Sequence, residues 1–456
     1  MNRNTTIIAA VIVAAIVIVA GVVFVTNNGD SNSSSDAATA SQLQIRGNVN
    51  DDYTIDNKDM DIFMKIMDGS EKLSDYPLAD VNADGKVDDT DKKLLQDLID
   101  RKTGTTVYVL CLDRQGNNTT VPVTYPIRDV VTYATNMQMP ALYANGGQYI
   151  AGYFASSYDV AEKSLSNATH LGGTQRQISD AAWKNFTELD AKLSNGVGAL
   201  LVDYSGVEQI TDSRANDLEA ANIPMIVYAS ADAKAEIVAV LTLGFLFGEE
   251  CEKVGADYFQ MSWDVIDAID QKLGSLSDSE RVSYICCTMF IYICENDSSF
   301  NSSAATAGGI PYYKINSEFK EKYKGDSSTK MASTEALSNY KDVGSIINNR
   351  SMDWGLTAEG IKELIVETWT HDNKGIPSTE YFKGFEEKLV YINNLLPGAV
   401  KVAYMAHAMY GDDFSREWAD SVLEDFIDIG SKPFEGQSLD SILAYIDYDT
   451  YKVATI

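Results

Sequence analysis

The chain has 456 residues and a formal charge of −30, from 36 Lys and Arg against 66 Asp and Glu. So acidic a surface repels a phosphate backbone and excludes nucleic acid as a partner. The length allows two or three domains with a large core, and five cysteines, an odd count, make no disulfide framework and leave at least one thiol free.

In chain order, the first element is an uninterrupted apolar run from Ile7 to Val25, with Arg3 before it and Asp30 after it. That length spans a bilayer, and the basic flank predicts an N-terminus inside and the bulk of the chain outside. A cleaved signal peptide is the alternative. We expect residues 1–28 to be a membrane anchor (an N-terminal transmembrane helix) or signal segment, and 29–43, rich in Asn, Ser, Asp and Ala, to be a flexible linker.

Two twelve-residue loops follow, starting at Asn48 and Asp80. The second carries Asp80, Asn82, Asp84, Lys86 (through its carbonyl), Asp88 and Asp91 at positions 1, 3, 5, 7, 9 and 12, with Gly85 at position 6. The first repeats the plan with Asn48, Asn50, Asp52, Thr54, Asp56 and Asp59, but with Tyr53 in place of the glycine. Alternating oxygen donors around a sharp turn suit a hard cation with six to eight oxygen ligands, so the expectation is two unequal Ca²⁺ sites. Each loop runs into an amphipathic helix, with Met60, Phe63 and Met67 after the first and Leu94, Leu95 and Leu98 after the second. Position 12 is Asp rather than Glu, and no helix precedes either loop. This duplicated loop-helix unit resembles a dockerin module, placed at 44–102. The resemblance implies a cohesin-like partner, although positions 10 and 11 are Asn57-Lys58 and Asp89-Thr90.

From Thr105 onward apolar runs at 107–112, 130–133, 149–154, 199–204 and 224–228 alternate with helical stretches at 181–193 and 213–221. That rhythm predicts parallel βαβ units, with ligands at the C-terminal strand ends. Asp232 to Leu273 reads as one continuous helix. A second α/β set follows, with strands near 282–288, 290–294, 343–348 and 400–405 and helices near 415–426 and 439–446.

The fold class expected is therefore α/β: two α/β lobes joined by one long helix, plus a small all-α calcium-loop module. Boundaries fall at 103–231 for lobe 1, 232–276 for the helix and 277–456 for lobe 2. The segments Pro122-Val123-Thr124-Tyr125-Pro126, Leu243-Gly244-Phe245-Leu246-Phe247-Gly248-Glu249-Glu250, Ala307-Gly308-Gly309-Ile310 and Ser333-Thr334-Glu335-Ala336-Leu337 stand in this order. They resemble the substrate-binding proteins of ABC importers, in the group serving iron-siderophores, haem and corrinoids. The resemblance implies capture of a small-molecule metal chelate between lobes and delivery to an ABC permease and its ATPase. It also implies one acidic docking residue on each lobe, for which Glu188 and Glu335 are the candidates.

Candidate ligand-binding residues beyond the expected strand ends are Tyr133, Asn136, Tyr158, Tyr204, Trp354, His407 and Tyr410. Aromatic faces with a few polar groups suit a flat organic chelate. The three histidines are far apart in sequence and make no metal cluster of their own; His407, expected after a strand, is a candidate axial ligand to a haem or corrinoid metal. No Gly-x-Ser-x-Gly, His-Glu-x-x-His or Walker loop stands where chemistry would need it, so the chain is not expected to be an enzyme. The alternative reading is a dockerin-tethered surface protein, either a scaffold or adhesion protein or a polysaccharide-acting enzyme.

Overall fold

Both loop-following helices begin at a capping box. In α1 (Asn57–Met67) Asp56 accepts from the Lys58 N–H while Asp59 reaches back, and in α2 (Asp89–Ile99) Asp88 and Asp91 repeat the arrangement. Each box satisfies helix N–H groups that would otherwise lack partners. The computed structural model describes residues 43–456 except 134, 156–163, 166, 175–176, 230–231, 289–291, 297–299, 326–327, 331–338, 351–353, 371–385, 431–436, 448 and 451–456. The apolar run Ile7–Val25 lies outside these residues, and among those described no helix is long and apolar enough to cross a membrane.

The chain divides into two compact units. The first comprises the described parts of Met1–Ser157, Leu165–Ser230 and Val238–Ala256. In it β1 (Thr106–Leu112) and β2 (Asn118–Thr124) form an antiparallel hairpin. The run at 107–112 therefore does not open the parallel series, as its apolar composition suggested. It pairs locally because Asp113 accepts backbone N–H groups of Gln115 and Asn117, closing a tight turn. The parallel sheet consists of β3 (Val130–Tyr133), β4 (Ile150–Phe154), β5 (Thr169–Gly172), β6 (Leu200–Asp203) and β7 (Met225–Tyr228), in the order β5-β4-β3-β6-β7. Strand order reverses at β3, with β4 on one side and β6 on the other. Helices α3 (Thr135–Tyr143), α4 (Asp180–Lys192) and α5 (Asp212–Ala220) connect the strands. Phe154, Trp183 and Phe186 stack in the core, with ring centroids 4.8 to 6.2 Å apart.

The loop segment is bonded into this unit. Leu110 donates to the Gln44 carbonyl at 2.9 Å, Arg46 donates to that of Tyr108 at 3.0 Å, and the Gln44 N–H reaches Thr242 Oγ1 at 3.1 Å. Arg101 is the main tie. Its guanidinium is bonded to both Glu252 oxygens, donates to the Ile55 and Leu98 carbonyls at 3.0 and 2.6 Å, and lies 4.6 Å over the Phe245 ring.

The expected single helix from Asp232 to Leu273 is two helices, α6 (Ala233–Phe247) and α7 (Glu250–Leu273). Gly248 and Glu249 separate them with φ of 72° and 54°, a left-handed pair that stops a helix as firmly as proline. Tyr125 occupies the space on Gly248, and Gly244 faces Gly255, where a Cβ would strike the Cys251 carbonyl at 2.6 Å. Missing side chains are what bring α6 and α7 together there.

The second unit comprises the described parts of Tyr158–Ser164, Ala231–Ile237 and Asp257–Ile456. Its seven-stranded sheet runs β11 (Ser328–Lys330), β9 (Tyr292–Cys294), β8 (Ser283–Thr288), β12 (Ser345–Arg350), β13 (Leu389–Asn393) and β14 (Tyr445–Ile446), with β10 (Ile310–Pro311) also on β8. The β8-β12-β13 centre is parallel, while β9, β11 and β14 pair antiparallel. Helices α8 (Phe300–Thr306), α9 (Ala358–Thr370), α10 (Gly398–Met409) and α11 (Arg416–Asp428) belong to it, with two short helical turns at Tyr312–Ile315 and Ser317–Lys322.

Two expectations fail in this unit. The run 400–405 is helical, inside α10, whose residues from Gly398 to Ala406 are all buried. A fully buried helix reads as apolar throughout and cannot be told from a buried strand by periodicity. The stretch 439–446 is one 3₁₀ turn (Leu439–Ser441) followed by β14. A buried ion pair anchors α10. Glu236 accepts from the Tyr258 hydroxyl at 2.6 Å and the Gly398 N–H at 2.7 Å, and Lys401 Nζ lies 3.9 Å away. Burial pushes the Glu236 carboxyl up and the Lys401 ammonium down, each opposed by the other's charge. All five cysteines are buried and none is in a disulfide.

Candidate functional site

The two loops share most of their internal bonds, although Asp80 at position 1 accepts from the Asp84 and Gly85 N–H groups, each at 3.0 Å, bonds that the Asn48 oxygen does not make. Position 3 donates its N–H to the position 12 carboxylate at 3.0 Å in both, Asn50 to Asp59 and Asn82 to Asp91. Position 9 donates to the other oxygen, Asp56 to Asp59 at 2.8 Å and Asp88 to Asp91 at 3.0 Å. Position 7 donates to position 5, Thr54 to Asp52 at 2.8 Å and Lys86 to Asp84 at 3.0 Å. Position 4 is left-handed in each, Asp51 at 63° and Ala83 at 59°. At position 6 the repeat breaks, since Gly85 takes φ of 87° whereas Tyr53 stays out of the left-handed region.

Whether these residues fit calcium is tested by their unmet oxygens. Asn48 is fully buried and its Nδ2 donates to the Leu43 and Asp52 carbonyls, at 3.2 and 2.7 Å. Those acceptors fix the amide orientation and leave Oδ1, at loop position 1, with no donor among the described residues. Asp59 is buried too, and desolvation pushes its carboxyl up to about 6 despite the N–H bonds from Asn50 and Asp56. A buried oxygen without a donor and a buried carboxylate at the two ends of one loop suit a hard cation. Among the described residues no three His, Cys, Asp or Glu side chains group closely enough to hold a metal. The donor set of each loop thus depends on amide and carbonyl oxygens as well.

The second candidate region is the C-terminal edge of each sheet. Doubly wound sheets bind ligands where strand order reverses, here beyond β3. Tyr133 ends β3 but is fully buried, edge-on to Phe154 at 6.0 Å, with burial pushing its hydroxyl up to about 12. Tyr204 follows β6 and is 38% exposed, its hydroxyl against Gly116. Asn136 lies in α3, and its side chain is outside the described set, as are Tyr158 and Glu335. Sequence reasoning missed Gln138. It is fully buried, donates Nε2 to the Phe154 and Ala155 carbonyls at the end of β4, and leaves Oε1 without a donor among the described residues. Ala155 there takes φ of 29°, strained for a residue with a side chain. The signal was a lone amide between Met137 and Met139.

In the second unit Asn348 and Asn349 on β12 and Asn393 on β13 are buried at the strand ends, and Asn349 Oδ1 has no donor among the described residues. Two consecutive amides at the end of an apolar run were the available signal. Trp354 is buried, edge-on to Phe426 at 6.2 Å. Tyr410 accepts from the Val282 N–H at 3.0 Å and donates to the Gly308 carbonyl at 2.8 Å, which commits it to structure. His407 does not follow a strand. It sits in the last turn of α10, its Nδ1 2.9 Å from the Phe414 carbonyl and its ring beside Tyr445. Glu188 lies on α4, half exposed, 3.4 Å from Lys184.

No protein-family model matches this sequence, and no curated protein is similar to it. Solved structures are. A TroA-like periplasmic binding protein, FepB, from Veillonella parvula superposes with a TM-score of 0.54 at 15% identity, over 74% of this chain and 99% of that one. A periplasmic solute-binding protein from the same species gives 0.49 at 13%, over 76% and 100%. An ABC transporter solute-binding protein from Sulfurospirillum deleyianum gives 0.48 at 12%, over 76% and 98%. The first of these shows the fold, that of a periplasmic binding protein of the TroA-like kind.

Proposed function

We propose that this chain is the solute-binding protein of an ABC importer, taking a metal chelate of siderophore, haem or corrinoid type and passing it to a permease and ATPase. The observation that carries this reading is the likeness to FepB across nearly the whole of that protein. Buried amide oxygens without donors at the strand ends, Gln138 in one unit and Asn349 in the other, support it. Such oxygens are where a ligand's donors gain most from binding. The apolar run Ile7–Val25 holds the chain at the outer face of the membrane, as an anchor before cleavage or without it.

Within this reading the loops hold calcium: Asn48, Asn50, Asp52 and Asp59 with the Thr54 carbonyl in one, Asp80, Asn82, Asp84 and Asp91 with the Lys86 carbonyl in the other. Asp56 and Asp88 serve chiefly as helix caps. Bound calcium supplies positive charge that neutralises the clustered carboxylates, and the ion has no part in chemistry on the ligand. Docking through Glu188 and Glu335, and a cohesin-like partner for the loop segment, belong to the same proposal.

The test is titration of the purified chain with a ferric siderophore, haemin and cobalamin, read by quenching of tryptophan fluorescence, alongside native mass spectrometry of protein taken from its own host. Saturable quenching by one of them, or a retained metal chelate, is expected. No saturation with any probe and no retained small molecule overturns the reading.

A further inference from the structure

The sequence ranks the second loop as the better calcium site, because it begins with Asp and carries glycine at its turn. The structure places a competing charge in it. Arg46 stands two residues before the first loop, but its side chain crosses to the second. Nη1 donates to the Asp80 carbonyl at 2.8 Å and the Pro77 carbonyl at 3.3 Å, and lies 3.6 Å from Asp80 Oδ2. The guanidinium is largely buried, at 21% exposure, and the charge of Asp91 also acts on it. Positions 1 and 12 of the second loop thus already face a tethered cation.

The first loop has only an exposed, looser cation at position 9, Lys58 Nζ 3.9 Å from Asp56 Oδ2, and none at positions 1 or 12. By the repeat, the residue matching Arg46 is Leu78, two before Asp80, and Leu78 has no charge to return. Among the described residues no cation is paired with Asp52 or Asp59, and the Asn48 oxygen at position 1 has no donor. Arg46 thus adds to positions 1 and 12 of the second loop a charge that those positions of the first loop do not meet.

We propose that Arg46 is a specificity-determining residue that weakens calcium binding at the second loop, bringing the two sites close in affinity although their sequences are unequal. This rests on the calcium reading above. Two positive charges on one carboxylate repel, and at partial burial the effect is large enough to set affinity. Removing the guanidinium charge while keeping a polar side chain relieves it.

The experiment uses the full chain stripped with a chelator and titrated with Ca²⁺ by calorimetry, with stoichiometry read by native mass spectrometry. The wild type is expected to bind two ions with affinities within about ten-fold of each other. R46Q is expected to tighten one site about ten-fold, the equivalent of ~1.4 kcal/mol, while R46K, which keeps the charge, stays near the wild type. In D84A, which takes a carboxylate from the second loop, adding R46Q should leave the remaining site unchanged. Two bound ions with affinities unmoved by R46Q overturn the proposal, as does a tightening that persists in D84A, since that places the effect at the first loop. Loss of a site in R46Q with an unchanged circular dichroism spectrum also overturns it, assigning Arg46 to scaffolding the loop. A wild type that binds no ion at millimolar calcium overturns the calcium reading itself, and the proposal with it.

Discussion

The two units each bury a large sheet, but with different cores and different edges. The main sheet of the first has five strands, all parallel, and packs aromatic rings at its centre, with Phe154 against Tyr133, Trp183 and Phe186. The second has a parallel centre flanked by antiparallel strands and places a charge pair, Glu236 and Lys401, inside. Apolar burial tolerates small shifts and loses energy in proportion to the volume removed. A buried ion pair is all-or-none, because losing one partner strands the other. The first unit should therefore degrade gradually under substitution and the second abruptly.

That contrast can be broken by experiment. Removing one partner of the buried pair, Glu236→Ala, should cost about 3–5 kcal/mol in guanidinium unfolding followed on the second unit. Replacing both, Glu236→Leu with Lys401→Met, should recover much of it. If the double variant is as unstable as the single one, packing rather than charge anchors α10. In the first unit Phe154→Ala should cost about 3–5 kcal/mol, while Phe154→Leu should cost far less, the graded response expected of a core. Arg101→Ala tests the tie between loop segment and lobe. A loss of about 1–3 kcal/mol is expected from its charge-assisted bonds, with earlier proteolytic cutting before Thr105 as the readout. Smallest of all, Glu188→Ala should change stability by less than ~0.5 kcal/mol, since its pair with Lys184 is solvent-exposed. A permease-binding assay would then report docking free of folding effects.

The parts of the fold that depend on local pattern were legible in the sequence. The strands at 130–133, 200–203 and 225–228 were found within a residue or two, because short apolar runs between helices have one economical arrangement. The two loop–helix units were legible through the repeated spacing of their acidic and amide residues, down to the deviant Tyr53. What the sequence did not show depends on tertiary context. α10 hides as a strand because it has no polar face. The break at Gly248 and Glu249 carries no proline; its left-handed backbone shows only in the structure, where Tyr125, over a hundred residues earlier, fills the space a side chain on Gly248 would need. Most of the expected ligand residues were aromatic, and the structure buries Tyr133 and Trp354 and commits the half-buried Tyr410 to backbone bonds. The amides Gln138 and Asn349 were overlooked because their interest lies in an unmet hydrogen bond, which composition cannot reveal.

Arg101 also bears on how this chain can be rearranged. One side chain holds the first loop, the end of α2 and the start of α7, so the loop segment is not a cassette. Transplanted onto another protein it would lose the acidic partner that neutralises its arginine. Deleted from this one, it would leave Glu252 and the face of Phe245 open to water. A segment that reads in sequence as a detachable module has become part of the lobe's own surface, and the two are expected to be inherited and unfolded as one piece.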